Sequence, residues 1–191
     1  TALVVGGGSL TNDAVLTQEA DGGFVVQGDP TEAAFLVAEA KLGTRALREG
    51  RFARVGEIPF TSQRRLMSSL ATDGERGGRI AVVTKGAPDV LLERCTHVQV
   101  GDDVEPLDDG WRTGILADVE RLSGEAFRTL AVAYRPLDVT DPPEAVESLE
   151  EGLVYTGMVG IIDPPRDEAA AALREARRAG IRVVMITGDH P

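Results

Sequence analysis

The stretch RIAVVTKGAPDVLLERC, residues 79–95, decides the fold. An apolar run ends on Lys85 and turns at once through Gly86, Ala87 and Pro88 into a helical pattern. An amine at the end of a buried strand has two readings. It is a snorkelling surface lysine, or it is held for a ligand, with Gly86 bringing the backbone close to whatever the lysine touches.

Upstream, RFARVGEIPF and RRLMSSLATD read as two more strands, separated by turn residues such as Asp73-Gly74 and Gly77-Gly78, so residues 51–85 form an antiparallel meander. Before them GDPTEAAFLVAEAKLGTRALREG reads as one nearly continuous helix ended by Gly50. Asp29 is its N-cap, Pro30 its first residue, and Glu32 stands where a capping box places its carboxylate. The opening TALVVGGG reads as strand. Downstream come a short helix at 87–95, a strand or hairpin at 98–107, a helix at 110–126 and a buried strand at 128–137. The acidic stretch 138–151, with Pro142-Pro143, holds little more than a short helix.

From Leu153 the pattern changes to LVYTGMVGII, DPPRDE, an alanine-rich AAAALREARRAG and IRVVMIT, which reads as a parallel βαβ unit. The fold class expected is therefore α+β over residues 1–152, a mainly antiparallel sheet flanked by helices. A fragment of a doubly wound α/β domain follows over 153–191. Its apolar Val183, Val184 and Ile186 would lack their usual cover, so this segment is expected either to self-associate with a neighbouring chain or to be mobile.

The 191 residues are 42% hydrophobic and 27% charged, the composition of a folded globular chain rather than a disordered one. With 20 Lys and Arg against 31 Asp and Glu, the net charge of −11 argues against broad binding to nucleic acid. A single cysteine, Cys95, permits no internal disulfide and fits a reducing compartment, where it would serve in helix packing. No apolar run approaches the roughly 20 residues that span a bilayer. The chain lacks a start methionine and stops just after an apolar strand, so an excised piece of a longer protein is expected.

Three stretches carry candidate chemistry. GDPTE at 28–32 is fully explained as a helix cap, with no ligand required. PFTSQRR at 59–65 sets Phe60 beside Arg64 and Arg65, a face that can stack a base next to charges that attract phosphate. A phenylalanine at a strand end is equally a core residue. TKGAPD at 84–89 supplies the amine already described.

Together with FRTLAVAYR, DPPR and ITGDHP, these stretches occur in the order and near the spacing found in P-type cation-transporting ATPases, and the chain resembles the calcium-pump-like branch. The resemblance implies a nucleotide-binding domain inserted into a phosphorylation domain of haloacid-dehalogenase-like fold. It also implies roles: Phe60 stacks on adenine, Glu32 meets its exocyclic amine, Lys85 and Gly86 line the pocket, and Arg65 and Arg128 face the phosphates of ATP. Asp163 and Arg166 match DPPR, a hinge on the phosphate side. Thr187, Gly188 and Asp189 match TGD, which in the complete enzyme lies near the transferred phosphoryl group and Mg²⁺. No metal-ligand set is read within this chain itself.

The departures are informative. D-K-T-G-T, whose aspartate accepts the phosphoryl group in this family, does not occur in the chain, so ATP binding without turnover is expected of it. Ser62 stands where calcium pumps often carry arginine, and Arg65 where they often carry lysine. Two alternatives stay open: a non-catalytic interaction module of the same fold, and a fragment of a haloacid-dehalogenase-type phosphohydrolase. The latter needs a D-x-D or D-x-T nucleophile after a strand, and none precedes the insert.

Overall fold

The computed structural model describes residues 1–18, 23–163 and 167–184. In chain order the elements are helix α1 (Ala2–Leu10), strands β1 (Val15–Gln18) and β2 (Phe24–Gln27), helices α2 (Pro30–Leu42) and α3 (Arg45–Arg51), and strands β3 (Phe52–Ile58), β4 (Leu66–Asp73) and β5 (Arg79–Gly86). Among the described residues, helix α4 (Pro88–Arg94), strands β6 (Cys95–Val100) and β7 (Asp103–Pro106), helix α5 (Asp109–Gly124), strands β8 (Arg128–Pro136) and β9 (Leu153–Ile161), and helix α6 (Asp167–Arg178) follow, with short 3-10 turns at Gly74–Arg76 and Glu147–Leu149.

The expected α+β character holds. A seven-stranded sheet has the order β3-β4-β5-β8-β9-β6-β7, and β1-β2 form a separate hairpin. Every pair in the large sheet is antiparallel except β6 with β9, so the sheet is mixed. Alternation along β8 divides the core: Ala131 and Ala133 face a cluster with Leu91, Leu92 and Ile115 of α4 and α5, while Val132 faces Val4, Leu10 and Phe35 of α1 and α2. Cys95 belongs to the first cluster; its thiol donates to the Leu91 carbonyl at 3.1 Å, and burial pushes its pKa up to about 12.

Three local readings differ. The opening residues form a helix, not a strand, and their glycines explain why: a Cβ on Gly8 would lie 2.1 Å from the Phe35 ring, and one on Gly7 would lie 2.7 Å from Val132. The glycine run lets α1 pack at close range against both α2 and the sheet. The helix expected through Gly50 breaks at Gly43, which takes a left-handed φ of 67° and ends α2. Arg48 of α3 then reaches back in a two-bond fork to Glu39 of α2, at 2.7 and 3.0 Å.

The third difference concerns the boundary near residue 152. The chain divides into compact units Thr1–Ile161 and Ile162–Pro191. Strand β9, expected to open a βαβ fragment, lies inside the first sheet, antiparallel to β8 and parallel to β6. Its apolar residues Leu153, Val154 and Tyr155 are buried there, which is the physical reason it stays with the first unit. In the second unit α6 forms as expected, and residues 181–184 have no regular secondary structure. Ile181, Val183 and Val184 are exposed, while Ile186 lies outside the described residues.

Candidate functional site

One end of the sheet collects the motifs. Leu66 at the start of β4 pairs with Gly86 at the end of β5, and Gly86 pairs with Ala131 of β8. The loop 59–65 enters at this end, Lys85 and Gly86 finish β5 there, and Arg128 begins β8 there, opposite Ile161.

Lys85 is 5% exposed, and its side chain lies on the α1–α2 face of the sheet. Its Nζ donates to Glu32 Oε1 at 2.7 Å and stands 5.7 Å from the centre of the Phe35 ring. Burial pushes the ammonium below its ordinary 10.5, and the Glu32 bond and charge oppose that shift. The snorkelling alternative therefore fails, because the amine points inward onto a carboxylate.

Glu32 does not close the capping box. Asp29 caps α2 alone, accepting from the Thr31 and Glu32 amides at 2.7 and 3.3 Å. Burial raises the Asp29 carboxyl pKa, and the bonds from Thr31 and Glu32 with the charge of Arg128 outweigh it, leaving the group below 3.8. The Glu32 carboxylate turns away from the cap: Oε1 accepts from Lys85, and Oε2 accepts from the Asp13 amide at 3.2 Å. Asn12 adds a bond from Nδ2 to the Glu32 carbonyl at 2.8 Å. The sequence reading missed Asn12 and Asp13, whose signal was the polar TND run directly after the glycine-rich helix.

Phe60 is 57% exposed, so it presents a ring face to solvent instead of filling the core. Arg65, also exposed, has φ of 56° and pairs with Asp89 at 2.9 Å. Its carbonyl accepts from the Ala87 amide at 3.1 Å. That carbonyl fills the space beside Gly86, where a Cβ would stand 2.2 Å from it. Gly86 thus makes room for backbone. Arg128 is exposed and donates to Thr31 Oγ1 at 3.0 Å, which brings it to the first turn of α2 beside Glu32.

The structure thus brings Lys85, Glu32 and Arg128 together at the start of α2, and places Phe60 and Arg65 on the adjoining loop. Asp163 is exposed in the second unit. Arg166, Thr187, Gly188 and Asp189 lie outside the described residues. Hollows of about 600 Å³ beside α2 and about 630 Å³ between α1, α3 and the sheet are lined by other residues. Among the described residues no group of three His, Cys, Asp or Glu side chains converges to hold a metal ion.

A family model for the P-type ATPase cytoplasmic domain N matches residues 3–168. The chain belongs to the P-type cation ATPases. It is 38% identical over 184 residues to a calcium-transporting ATPase of Bacillus subtilis, covering 96% of this chain and 20% of that protein. It is 39% identical over 182 residues to calcium-transporting ATPase 1 of Bacillus cereus, covering 95% and 19%. A sodium/potassium exporting P-type ATPase of Schizosaccharomyces pombe is 37% identical over 188 residues, covering 96% and 17%. The chain therefore spans about a fifth of the length of these P-type ATPases. None of its described helices is long and apolar enough to cross a membrane.

Proposed function

We propose that this chain binds ATP at the sheet end marked by Phe60, Glu32 and Lys85, and positions it for phosphoryl transfer to an aspartate elsewhere in a cation pump. The exposed ring of Phe60 carries the reading: on the loop that also holds Arg64 and Arg65, it offers an aromatic face on which a base can stack. The adenine ring stacks there. Its amine meets the Glu32 carboxylate, Lys85 and the backbone at Gly86 form the adjoining wall, and Arg65 and Arg128 extend toward the phosphates as guanidinium forks.

In the pump, Asp163 and Arg166 serve the hinge and the phosphate side. Thr187, Gly188 and Asp189 belong to a haloacid-dehalogenase-like phosphorylation domain that uses Mg²⁺. With β9 in the first sheet, that domain's share of this chain falls within Ile162–Pro191, whose exposed Val183 and Val184 support packing against a further copy or domain. When bound, the metal supplies charge neutralisation at the transferred group. This chain's own residues bind the base and orient the phosphates. Calcium is the ion favoured by the B. subtilis and B. cereus relatives, as their names state.

A non-catalytic interaction module is the competing reading. Calorimetric titration of ATP into wild type and Phe60→Ala separates them. Loss of about 2 kcal/mol, roughly thirtyfold in Kd, is expected from removing one stacking partner. Equal behaviour of the two proteins would favour the module.

A further inference from the structure

Part-buried Arg64 and buried Glu150 form a pair that nothing in the ATP reading assigns. Glu150 ends the acidic connection between β8 and β9, and it is 1% exposed. The connection lies against the sheet: the Ile80 amide donates to the Val139 carbonyl, the Leu137 amide donates to the Ile80 carbonyl, and Ala145 and Leu149 pack on Leu70, Ile80 and Val82. This packing delivers the carboxylate beneath the loop 59–65. Its Oε1 accepts from Arg64 Nη2 at 2.6 Å and from Ser68 Oγ at 2.6 Å, and Ser68 is hydrogen-bonded to Thr84 Oγ1 at 2.8 Å.

Arg64 relays that anchor to the loop. Its Nη1 donates to the Pro59 carbonyl at 2.8 Å, its amide donates to Thr61 Oγ1 at 3.2 Å, and the next amide, of Arg65, donates to the Thr61 carbonyl at 2.8 Å. Phe60 lies between the two residues that this side chain and backbone grip. We infer that Glu150 and Arg64 are positioning residues for the aromatic face: buried Glu150 fixes the guanidinium, the guanidinium fixes Pro59, and Phe60 is held outward and preorganised for a planar ligand. A buried carboxylate is retained only with such partners, because an unpaired one is strongly destabilising. Holding the ring before binding removes an ordering cost from the bound state.

The inference rests on Phe60 being the stacking residue, and the test separates the two. Phe60 is replaced site-specifically by 4-fluorophenylalanine in the wild-type chain, in Arg64→Lys and in Glu150→Gln, and ¹⁹F spectra are recorded without nucleotide. ATP affinity is measured by NMR titration for wild type, Arg64→Lys, Phe60→Leu and the double variant, with thermal unfolding of each. Arg64→Lys keeps the charge facing Glu150 and loses the fork to Pro59. It is expected to broaden or split the ¹⁹F resonance and to weaken ATP about tenfold in the chain that keeps Phe60, but less than about twofold in the Phe60→Leu background. An unchanged ¹⁹F line, or the same weakening in both backgrounds, overturns the positioning role. Failure of wild type to bind ATP, with the ¹⁹F line still changed by Arg64→Lys, overturns the nucleotide reading instead and leaves the loop anchor standing.

Discussion

Lys85 Nζ and Glu32 Oε1 meet at 2.7 Å, joining the end of β5 to the first turn of α2 across 53 residues of chain. Both side chains are largely buried, at 6% and 19% exposure. Replacing Glu32 by Ala leaves an ammonium in an apolar setting beside Phe35, and a loss of about 3 kcal/mol at neutral pH is expected. The lysine's folded pKa is already below 10.5, and without Glu32 it falls further. In the window between that depressed value and 10.5 the unfolded chain binds the proton and the folded one does not, so stability rises with pH. Urea unfolding of the Glu32→Ala variant near neutral pH and at about pH 9.5 should therefore show part of the loss recovered at the higher pH.

Acid stability should depend on Asp73. Burial raises its pKa, and the Arg51 fork at 2.8 and 2.7 Å, the Arg51 charge and the Glu75 amide outweigh burial and hold it below 3.8. A depressed folded pKa contributes stability that is present above 3.8 and is lost as pH falls through the folded value. Asp73→Asn should cost about 1 kcal/mol at neutral pH, since Arg51 is partly solvated, and should flatten the acid limb of the unfolding profile below about pH 4. A parallel acid limb in both proteins would assign that limb to other carboxylates.

Gly86→Ala tests the close approach of two strands. The added Cβ meets the Arg65 carbonyl at 2.2 Å and the Leu66 Cα at 3.0 Å, and backbone cannot step aside as a side-chain tip can. A loss of about 2 to 3 kcal/mol in denaturant unfolding is expected, with the loop 59–65 displaced. Wild-type stability in this variant would mean that the loop backbone is free to move away.

Much of this was legible in the sequence because the signals were local. Asp73-Gly74 and Gly77-Gly78 marked the meander, Asp29-Pro30 marked the start of α2, and Pro88 marked α4. What escaped was decided by partners distant in the chain. Ala2–Leu10 carries β-branched valines that read as strand, and only its glycines' approach to Phe35 and Val132 makes a helix the better packing. Leu153–Ile161 reads as the first strand of a new domain, and its position between β8 and β6 depends on pairings that no periodicity reveals. Arg64 and Glu150 each resemble solvent-facing charges within charged runs. Their 2.6 Å contact spans the chain from residue 64 to residue 150, and burial of Glu150 follows from the packing of the β8–β9 connection on the sheet.

Nucleotide binding at the Phe60 end of the sheet can be read residue by residue, by titrating ATP into the ¹⁵N-labelled 191-residue chain and following amide shifts. Saturable shifts are expected at about millimolar nucleotide, concentrated at residues 59–65, at Lys85 and Gly86, and in the first turn of α2 around Glu32. Spectra unchanged at those residues at the same nucleotide concentration would contradict ATP binding at this end of the sheet.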